Sequence, residues 1–583
     1  MMSVLNAYSQ TVDWAYRAGS SFYPDMGQVV KVDNQGNTYV AGYFNDTVKF
    51  DPNSDNYTFT APDPPFEDAI FLEKFSASGT FLWAKVFYDG PNAMSVVFDI
   101  DPQDNVYIAA TFNGSIDLNP GAEEDIRTSP NGALTAFIVK LSNTGEYMYG
   151  KTFEMGENSY IYCDAITFDG DNNLIIGGMF HGNVDFDLSA DEHRMTTTPF
   201  ETKSFLLKMS SAGDFDWSKS FNDVYFHSIK TDSQNNIISG GVFNRAVDMD
   251  PGDGVVLLDS QNYSSVNMFI LKIDIDGNYM WVKSASDLSD PNQQSTYYQE
   301  VITSIAVDQQ DNIYFTGSFT KYISFDMNGT DVVLQTLNDI NHPLGMLGKY
   351  NSTGGLQWVK MMEGNHYTPT GGEGQSTSST NCLATTDDGR LFFGYTFDGI
   401  LNYTINGYNG WVNNSGPAGN AFVAFMEINT QDGTTESIYS IYSPSNVGSV
   451  YLWDLAASGD YLYSTGWFFD SLKFNEENVL IAENDQPDIF AAKFSPLTLG
   501  SKNIDGKRNF AYPNPAKDII TITNNSFTIE HVTVIDITGK TVKDIAIPLT
   551  NTYNLDVADL TSGQYILQVK GANSNIVKKI IIE

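Results

Sequence analysis

Apolar and polar residues alternate along this chain in short runs, and the runs come in pairs folded about a small polar turn. The segment VDNQGNTYVAGYF (32–44) reads as two strands joined by an Asp-Asn-Gln-Gly-Asn turn. It returns, slightly altered, at 100–112, 168–180, 231–243 and 307–319, and more weakly at 385–397 and 456–468. Every copy closes on a phenylalanine: Phe44, Phe112, Phe180, Phe243, Phe319, Phe397 and Phe468. A period of about 70 residues predicts one repeat domain in place of several unrelated ones.

A second apolar segment follows each copy, as in AIFLEKF (69–75), AFIVKL (136–141) and IFAAKF (489–494). Most of these enter a small polar turn and leave on a strand carrying Trp or Tyr, such as FLWAKVF or YMWVKSA. Four short antiparallel strands per unit make a propeller blade, and seven units make a seven-bladed β-propeller. The seventh unit lacks its Trp strand, while the chain opens on an orphan one, VDWAYRAG (12–19). That strand is expected to complete the last blade and remove the exposed edges of an open array. The fold class is therefore all-β, with the propeller over 12–495. Residues 496–510 read as a linker, and 511–583, again alternating, as a small β-sandwich. Residues 1–11 read as the remnant of a secretory signal or an unstructured amino terminus.

Composition sharpens this picture. Of the 583 residues 13% are aromatic and only 17% charged, with 48 glycines, as turn-rich β-structure requires. The net charge of −40 disfavours nucleic acid and anionic membranes as partners. Residues 511–583 hold six lysines against seven acids, so the acidity belongs to the repeats. No apolar run is long enough to span a membrane. Cys163 and Cys382 fall in the third and sixth repeats, too far apart around a ring of seven to pair, and are expected to be buried free thiols.

The Asp-x-x-Gly-Asn turn, the Tyr/Ile-x-x-Gly that follows it, the Phe-x-x-Lys strand and the Trp-x-Lys strand resemble the SBBP-type β-propeller repeats of bacterial secreted proteins. The sixth and seventh copies depart from the pattern, with Thr386 and Ala457 where Asp33 stands in the first. The tail resembles the type A C-terminal sorting domain of the type IX secretion system. Tyr512, Pro513, Asn514 and Pro515 form its opening motif, Gly539 and Lys540 its Gly-Lys turn, and Leu560, Gly563 and Tyr565 its Leu-x-x-Gly-x-Tyr element. That resemblance implies the type IX machinery as partner and a secreted or outer-membrane surface-attached protein, the tail commonly being cleaved after export.

In such a blade the short links share one face of the disc and every long loop falls on the other, where ligands are expected. One set of long loops is acidic, with Asp248, Asp250 and Asp253 as its best example. Carboxylates at alternate positions beside a glycine suit Ca²⁺, and the same residues also simply build turns. The other set, leading into the next blade's inner strand, carries Tyr160, Tyr162, Tyr225, His227, Tyr297, Tyr298, His366, Tyr367, Tyr451 and Trp453, with Glu157, Asp223 and Glu300 nearby. Flat rings beside hydrogen-bonding groups suit a glycan or a peptide, and also suit packing between blades.

Enzymatic signatures are sparse. SASGTFLW and DIDGNYMW put three residues between Gly and Trp, not the two of a sialidase Asp-box, and the six arginines are scattered. His-Glu-x-x-His and Gly-x-Ser-x-Gly are absent. The expected function is a secreted or surface binding and adhesion module for extracellular glycan or protein, acting as a monomer. Two alternatives stay open: a polysaccharide hydrolase or lyase using carboxylates on the long-loop face, and a structural surface protein with bound calcium.

Overall fold

The computed structural model describes residues 12–582 except 21–23, 63–67, 89–94, 190, 260–265, 288–300, 321, 328, 336–343, 363, 366–380, 399, 406–407, 414–420, 446–447, 476–477, 484–485, 496–510, 513–515, 524–528, 537–539, 551 and 572–573. Among the described residues there is no α-helix, and the chain divides into two compact units, at 9–496 and 497–583.

The larger unit contains seven four-stranded antiparallel sheets. The first runs Met26–Val32, Thr38–Phe44, Ala69–Phe75 and Phe81–Tyr88, in chain order from inner to outer strand. The inner strands of the others are Val96–Ile100, Tyr160–Phe168, Val224–Thr231, Val301–Val307, Asn381–Thr385 and Val450–Ser458. Each inner strand packs on the next, and that of the seventh sheet packs on that of the first. The outer strand of the seventh sheet is Val12–Ala18, paired antiparallel with Asp488–Phe494. Hydrogen bonds tie the seventh blade to the first: Tyr16 Oη to the Phe50 carbonyl (2.5 Å), Lys493 Nζ to the Ala77 carbonyl (3.0 Å), the Val30 amide to Asp454 Oδ2 (3.0 Å), and the Asp25 amide to the Pro487 carbonyl (3.0 Å). This succession is a seven-bladed β-propeller.

The second and third strands of the first three blades are buried almost throughout, because both faces of each sheet are covered by neighbouring blades. That burial explains their continuous apolar runs, each large side chain contributing about 1.5–3 kcal/mol. Cys163 and Cys382 are among the buried residues, unpaired, with thiol pKa values pushed up by desolvation, so they are unreactive wall residues.

The repeated polar motifs are the joinery of the blades. Asp33 Oδ1 accepts the amides of Gln35 and Asn37, and its Oδ2 lies 3.2 Å from Lys74 Nζ. Asp169 with Lys208 (3.1 Å) and Asp232 with Lys272 (2.6 Å) repeat the arrangement. Each lysine also reaches a carbonyl in the following blade: Lys74 to Asn143, Lys140 to Ser211, Lys208 to Ile275, Lys272 to Ser352 and Lys349 to Thr430. Neighbouring turns are laced together as well, Asn34 to Asp104, Asn172 to Gln103, Asn235 to Asp171, and Ser233 to Asp311. The polar groups of the short-turn face are thus largely consumed within the ring.

The acidic segments after each closing Phe differ from the open loops expected there. Each folds into a β-hairpin, such as Thr47–Lys49 with Thr58–Thr60, or Asn183–Asp185 with Arg194–Thr196. Its first strand and the residue after it send the side chains four and six beyond the closing Phe inward: Val48 and Phe50, Ile116 and Leu118, Val184 and Phe186, Val247 and Met249, Ile323 and Phe325, Leu472 and Phe474 are all buried.

The smaller unit packs a three-stranded sheet, containing Ala511–Tyr512, and a four-stranded sheet around one apolar core, a β-sandwich. Tyr565 is buried in it and donates to the Thr561 carbonyl (2.8 Å), while the Lys540 amide donates to Asp536 Oδ1 (3.1 Å) across the Gly-Lys turn. Gly563 opens the strand that carries Tyr565. Pro513, Asn514, Pro515 and Gly539 lie outside the described residues.

Candidate functional site

The inner strands do not run straight. Opposite a glycine two residues before the closing Phe, five of them skip one residue of the ladder: Gln28, Asp164, His227, Thr303 and Trp453. The glycine is required there, since a Cβ on Gly42, Gly178, Gly241, Gly317 or Gly466 would lie 1.8–1.9 Å from the facing carbonyl. Blades 2 and 6 carry Ala110 and Tyr395 at that position, and their inner strands pair without a shift. The bulges place a set of different side chains near the long-loop end of the strands that surround the central channel.

Two parts of this rim stand out. On blades 3 and 4, Tyr160 stacks on His181 (centroids 5.1 Å apart) and meets Tyr162 edge-on at 5.6 Å; its hydroxyl lies 2.9 Å from Thr202 Oγ1. Tyr225 belongs to the same neighbourhood: desolvation first, then the charge of Asp223 and the nearness of Tyr160, raise its phenol pKa, against the pull of Arg245. The Asp164 carboxyl is pushed up to about 6 by desolvation, and His227, though solvent-accessible, is enclosed enough that its imidazolium is disfavoured. On blade 7, Tyr451 stacks on Trp467 at 4.2 Å, and Trp453, at the bulge, leaves 38% of its surface open.

Half-exposed rings backed by stacked partners, beside hydroxyls and one carboxyl of raised pKa, form an amphipathic rim. Of the aromatic residues expected here, Tyr160, Tyr162, Tyr225, His227, Tyr451 and Trp453 lie at the starts of inner strands, in two groups on blades 3–4 and on blade 7. Tyr297, Tyr298, His366 and Tyr367, like Glu300, fall outside the described residues. The sequence reading missed Asp164, His181 and Arg245. Asp164 was signalled by Gly178, the residue that faces its bulge.

The acidic hairpins use their carboxylates on their own backbone. Asp248 Oδ1 accepts the amides of Asp250 (3.1 Å) and Val256 (2.8 Å), and Asp250 Oδ1 that of Gly252 (2.8 Å). Asp117 and Asp185 hold the amides two and eight residues on in the same way. Asp253 is exposed at the tip, and among the described residues no three His, Cys, Asp or Glu side chains converge as a metal ligand set.

Over 155 residues, 23% of the chain, the sequence is 29% identical to an uncharacterized WD repeat-containing protein of Acanthamoeba polyphaga mimivirus, and it spans 10% of that protein's length. Among solved structures, a catalytically inactive virginiamycin B lyase from Staphylococcus aureus is 9% identical, with a TM-score of 0.33 over 82% of this chain and 98% of that one. A chain of the mitotic checkpoint complex is 10% identical, with a TM-score of 0.26 over 69% and 92%. Residues 511–583 match the secretion system C-terminal sorting domain. That domain marks the protein for export by type IX secretion to the cell surface or the extracellular space.

Proposed function

We propose that this chain is a secreted or surface-attached β-propeller, its repeats of the SBBP type, that binds an extracellular glycan or protein as an adhesion module. The observation that carries the reading is the asymmetry between the two ends of the disc. The short-turn face spends its polar groups on blade-to-blade bonds, such as Asn34 to Asp104 and Lys74 to Asn143. The long-loop rim instead holds part-exposed aromatic residues, Tyr160, Tyr162, Tyr225, Tyr451 and Trp453, aligned by the strand bulges. Exposed rings on a rigid scaffold offer large contact area with few rotamers to order.

The test is binding of the full chain to a glycan and extracellular-matrix array, with calcium and with chelator. Saturable binding that weakens at least about tenfold in Trp453→Ala or Tyr162→Ala supports the reading. Chelator sensitivity would add a calcium role for the acidic hairpins. Absence of binding by folded protein would return the weight to a structural surface role.

A second reading, a polysaccharide hydrolase or lyase, is favoured by one observation, the raised pKa of Asp164 beside Tyr162 on the rim. Turnover of a polysaccharide that Asp164→Asn abolishes, with array binding intact, would establish it.

A further inference from the structure

The central channel holds an open cavity of about 260 Å³ toward the short-turn end of the inner strands, lined from six of the seven blades. Its walls mix Ala306, Leu383 and Leu455 with Thr167, Thr231 and Thr385, and among the described residues its charged lining groups are Lys31 of blade 1 and Lys230 of blade 4. Two lysines across a narrow channel of a protein with net charge −40 call for a physical reason.

The nearby acids supply it in part: against desolvation, the charges of Asp99 and Asp454 raise the pKa of Lys31, while that of Lys230 is brought down. Asp99 lies 4.0 Å from Lys31 and forms the one ion pair there among the described residues. Asp454 also faces the lysines, but its oxygens accept the amides of Val30 (3.0 Å) and Leu455 (2.9 Å), which anchor it to the seam between blades 7 and 1. Lys230 has no carboxylate within ion-pair distance among the described residues. The hydroxyls of Thr231 and Thr385 donate to the carbonyls of Phe168 and Val307 in adjoining blades and, being uncharged, do not neutralise it. Both lysines are part-buried, and a part-buried ammonium with no carboxylate in contact, as at Lys230, gains from a group of opposite sign beside it.

We propose that this cavity binds a small anion of the carboxylate or phosphate class between the ammonium groups of Lys31 and Lys230. The part-buried setting strengthens the attraction relative to open solvent, and the volume, below the roughly 300 Å³ of sites for drug-sized ligands, limits the occupant to a small one. Lys230 is suited to the role because Lys31, above all, and then desolvation bring its pKa down to about 8, and an arriving anion relieves both effects. The site is separate from the aromatic rim, and either can fail without the other.

The experiment is calorimetric titration of the full chain with inorganic phosphate and, separately, acetate. A parallel measurement follows acylation of the Lys230 amine by peptide mass spectrometry, with and without each anion. The expected result is saturable single-site binding of at least one of the two. Lys230→Met should weaken it by about tenfold or more while Lys230→Arg retains it, and the anion should slow Lys230 acylation in the wild type. No saturable heat with either anion together with unchanged acylation overturns the proposal, and so does binding that survives in Lys230→Met.

Discussion

Arg390 Nε lies 2.7 Å from Glu427 Oε1, at the one place in the ring where the third strand of a blade carries an acid in the position that Lys74, Lys140, Lys208, Lys272, Lys349 and Lys493 fill elsewhere. The exception has a cause. Those lysines donate to a carbonyl in the turn joining the third and fourth strands of the next blade. The blade after the sixth has no such turn, because its third strand, Asp488–Phe494, and its outer strand, Val12–Ala18, come from opposite ends of the repeat domain. A lysine at 427 would find no acceptor, and an ion pair within the blade stands in for the staple.

Glu427→Lys is therefore expected to lower the melting temperature more than Glu427→Gln does. It sets a second cation beside a mostly buried Arg390, and breaking a buried pair costs up to about 3–5 kcal/mol. Rebuilding the motif of the other blades, with Thr386→Asp and Arg390→Asn in the Glu427→Lys background, should recover most of the loss. Calorimetry of the four proteins decides it; a Glu427→Lys variant as stable as wild type would remove the explanation.

At the seam between blades 7 and 1 the pH dependence has a defined sign. Asp25 is fully buried and accepts the amides of Ser20 and Asn45, yet desolvation, the larger effect, raises its pKa to about 8. Asp488, paired with Arg17, is raised to about 6 for the same reason. Unfolded, both titrate at about 3.9. The folded state thus holds protons that the unfolded state has lost, and stability falls as pH rises from about 4 toward about 8, then levels. His227, with its imidazolium disfavoured, works in the opposite direction below about pH 6.5. Comparing wild type with Asp25→Asn separates them: the substitution should flatten the loss between mildly acidic and mildly alkaline pH, as read from melting temperature. A parallel pair of curves would refute the assignment.

Much of the ring was legible in the sequence because period-2 alternation and turn chemistry act locally. Asp33, Gly36 and Asn37 define one hairpin by themselves, and Gly36 sits at φ +78°, where a side chain is strained. The accessory hairpins were hidden by their acids, which read as solvated loop or calcium ligand. Their real signal was the pair of apolar residues four and six beyond each closing Phe, such as Val184 and Phe186. The rim was legible as a list of rings, not as an arrangement. What selects Asp164 and Trp453 is a bulge, and its mark is a glycine on a different strand. Lys31 and Lys230 face one cavity from blades 1 and 4, a relation that only ring closure creates.

The hairpins should be tightly held despite their exposed outer strands. Phe186 packs against Phe153 (5.8 Å), Phe180 (5.2 Å) and Phe205 (4.9 Å). Phe186→Ala is expected to cost about 3–5 kcal/mol, since it removes a ring from a close-packed cluster. Ile126→Ala, on the outer strand of another hairpin and 55% exposed, should stay within about 0.5 kcal/mol. Amide exchange over 183–196 should accelerate in the first variant; slow exchange there would show that the hairpin does not depend on its buried ring.

Removing residues 12–18 tests how the ring is held shut. The strand covers Asp488–Phe494, all of whose residues are buried, and Tyr16 packs on Phe75 of blade 1 at 4.5 Å besides bonding to the Phe50 carbonyl. Its loss would expose a long apolar edge with unpaired amides and carbonyls, the kind of edge that recruits other chains. The truncated protein should melt at lower temperature and self-associate in light scattering. A peptide of sequence VDWAYRAG added in trans should reverse both effects, more weakly than the tethered strand because it lacks the effective concentration of a connected chain. Tyr16→Ala should give a smaller loss in the same direction. If the truncated protein keeps its melting temperature and stays monodisperse, the seventh blade does not need its amino-terminal strand, and the remaining contacts between blades 7 and 1, those of Lys493, Val30 and Asp25 among them, suffice to hold the ring.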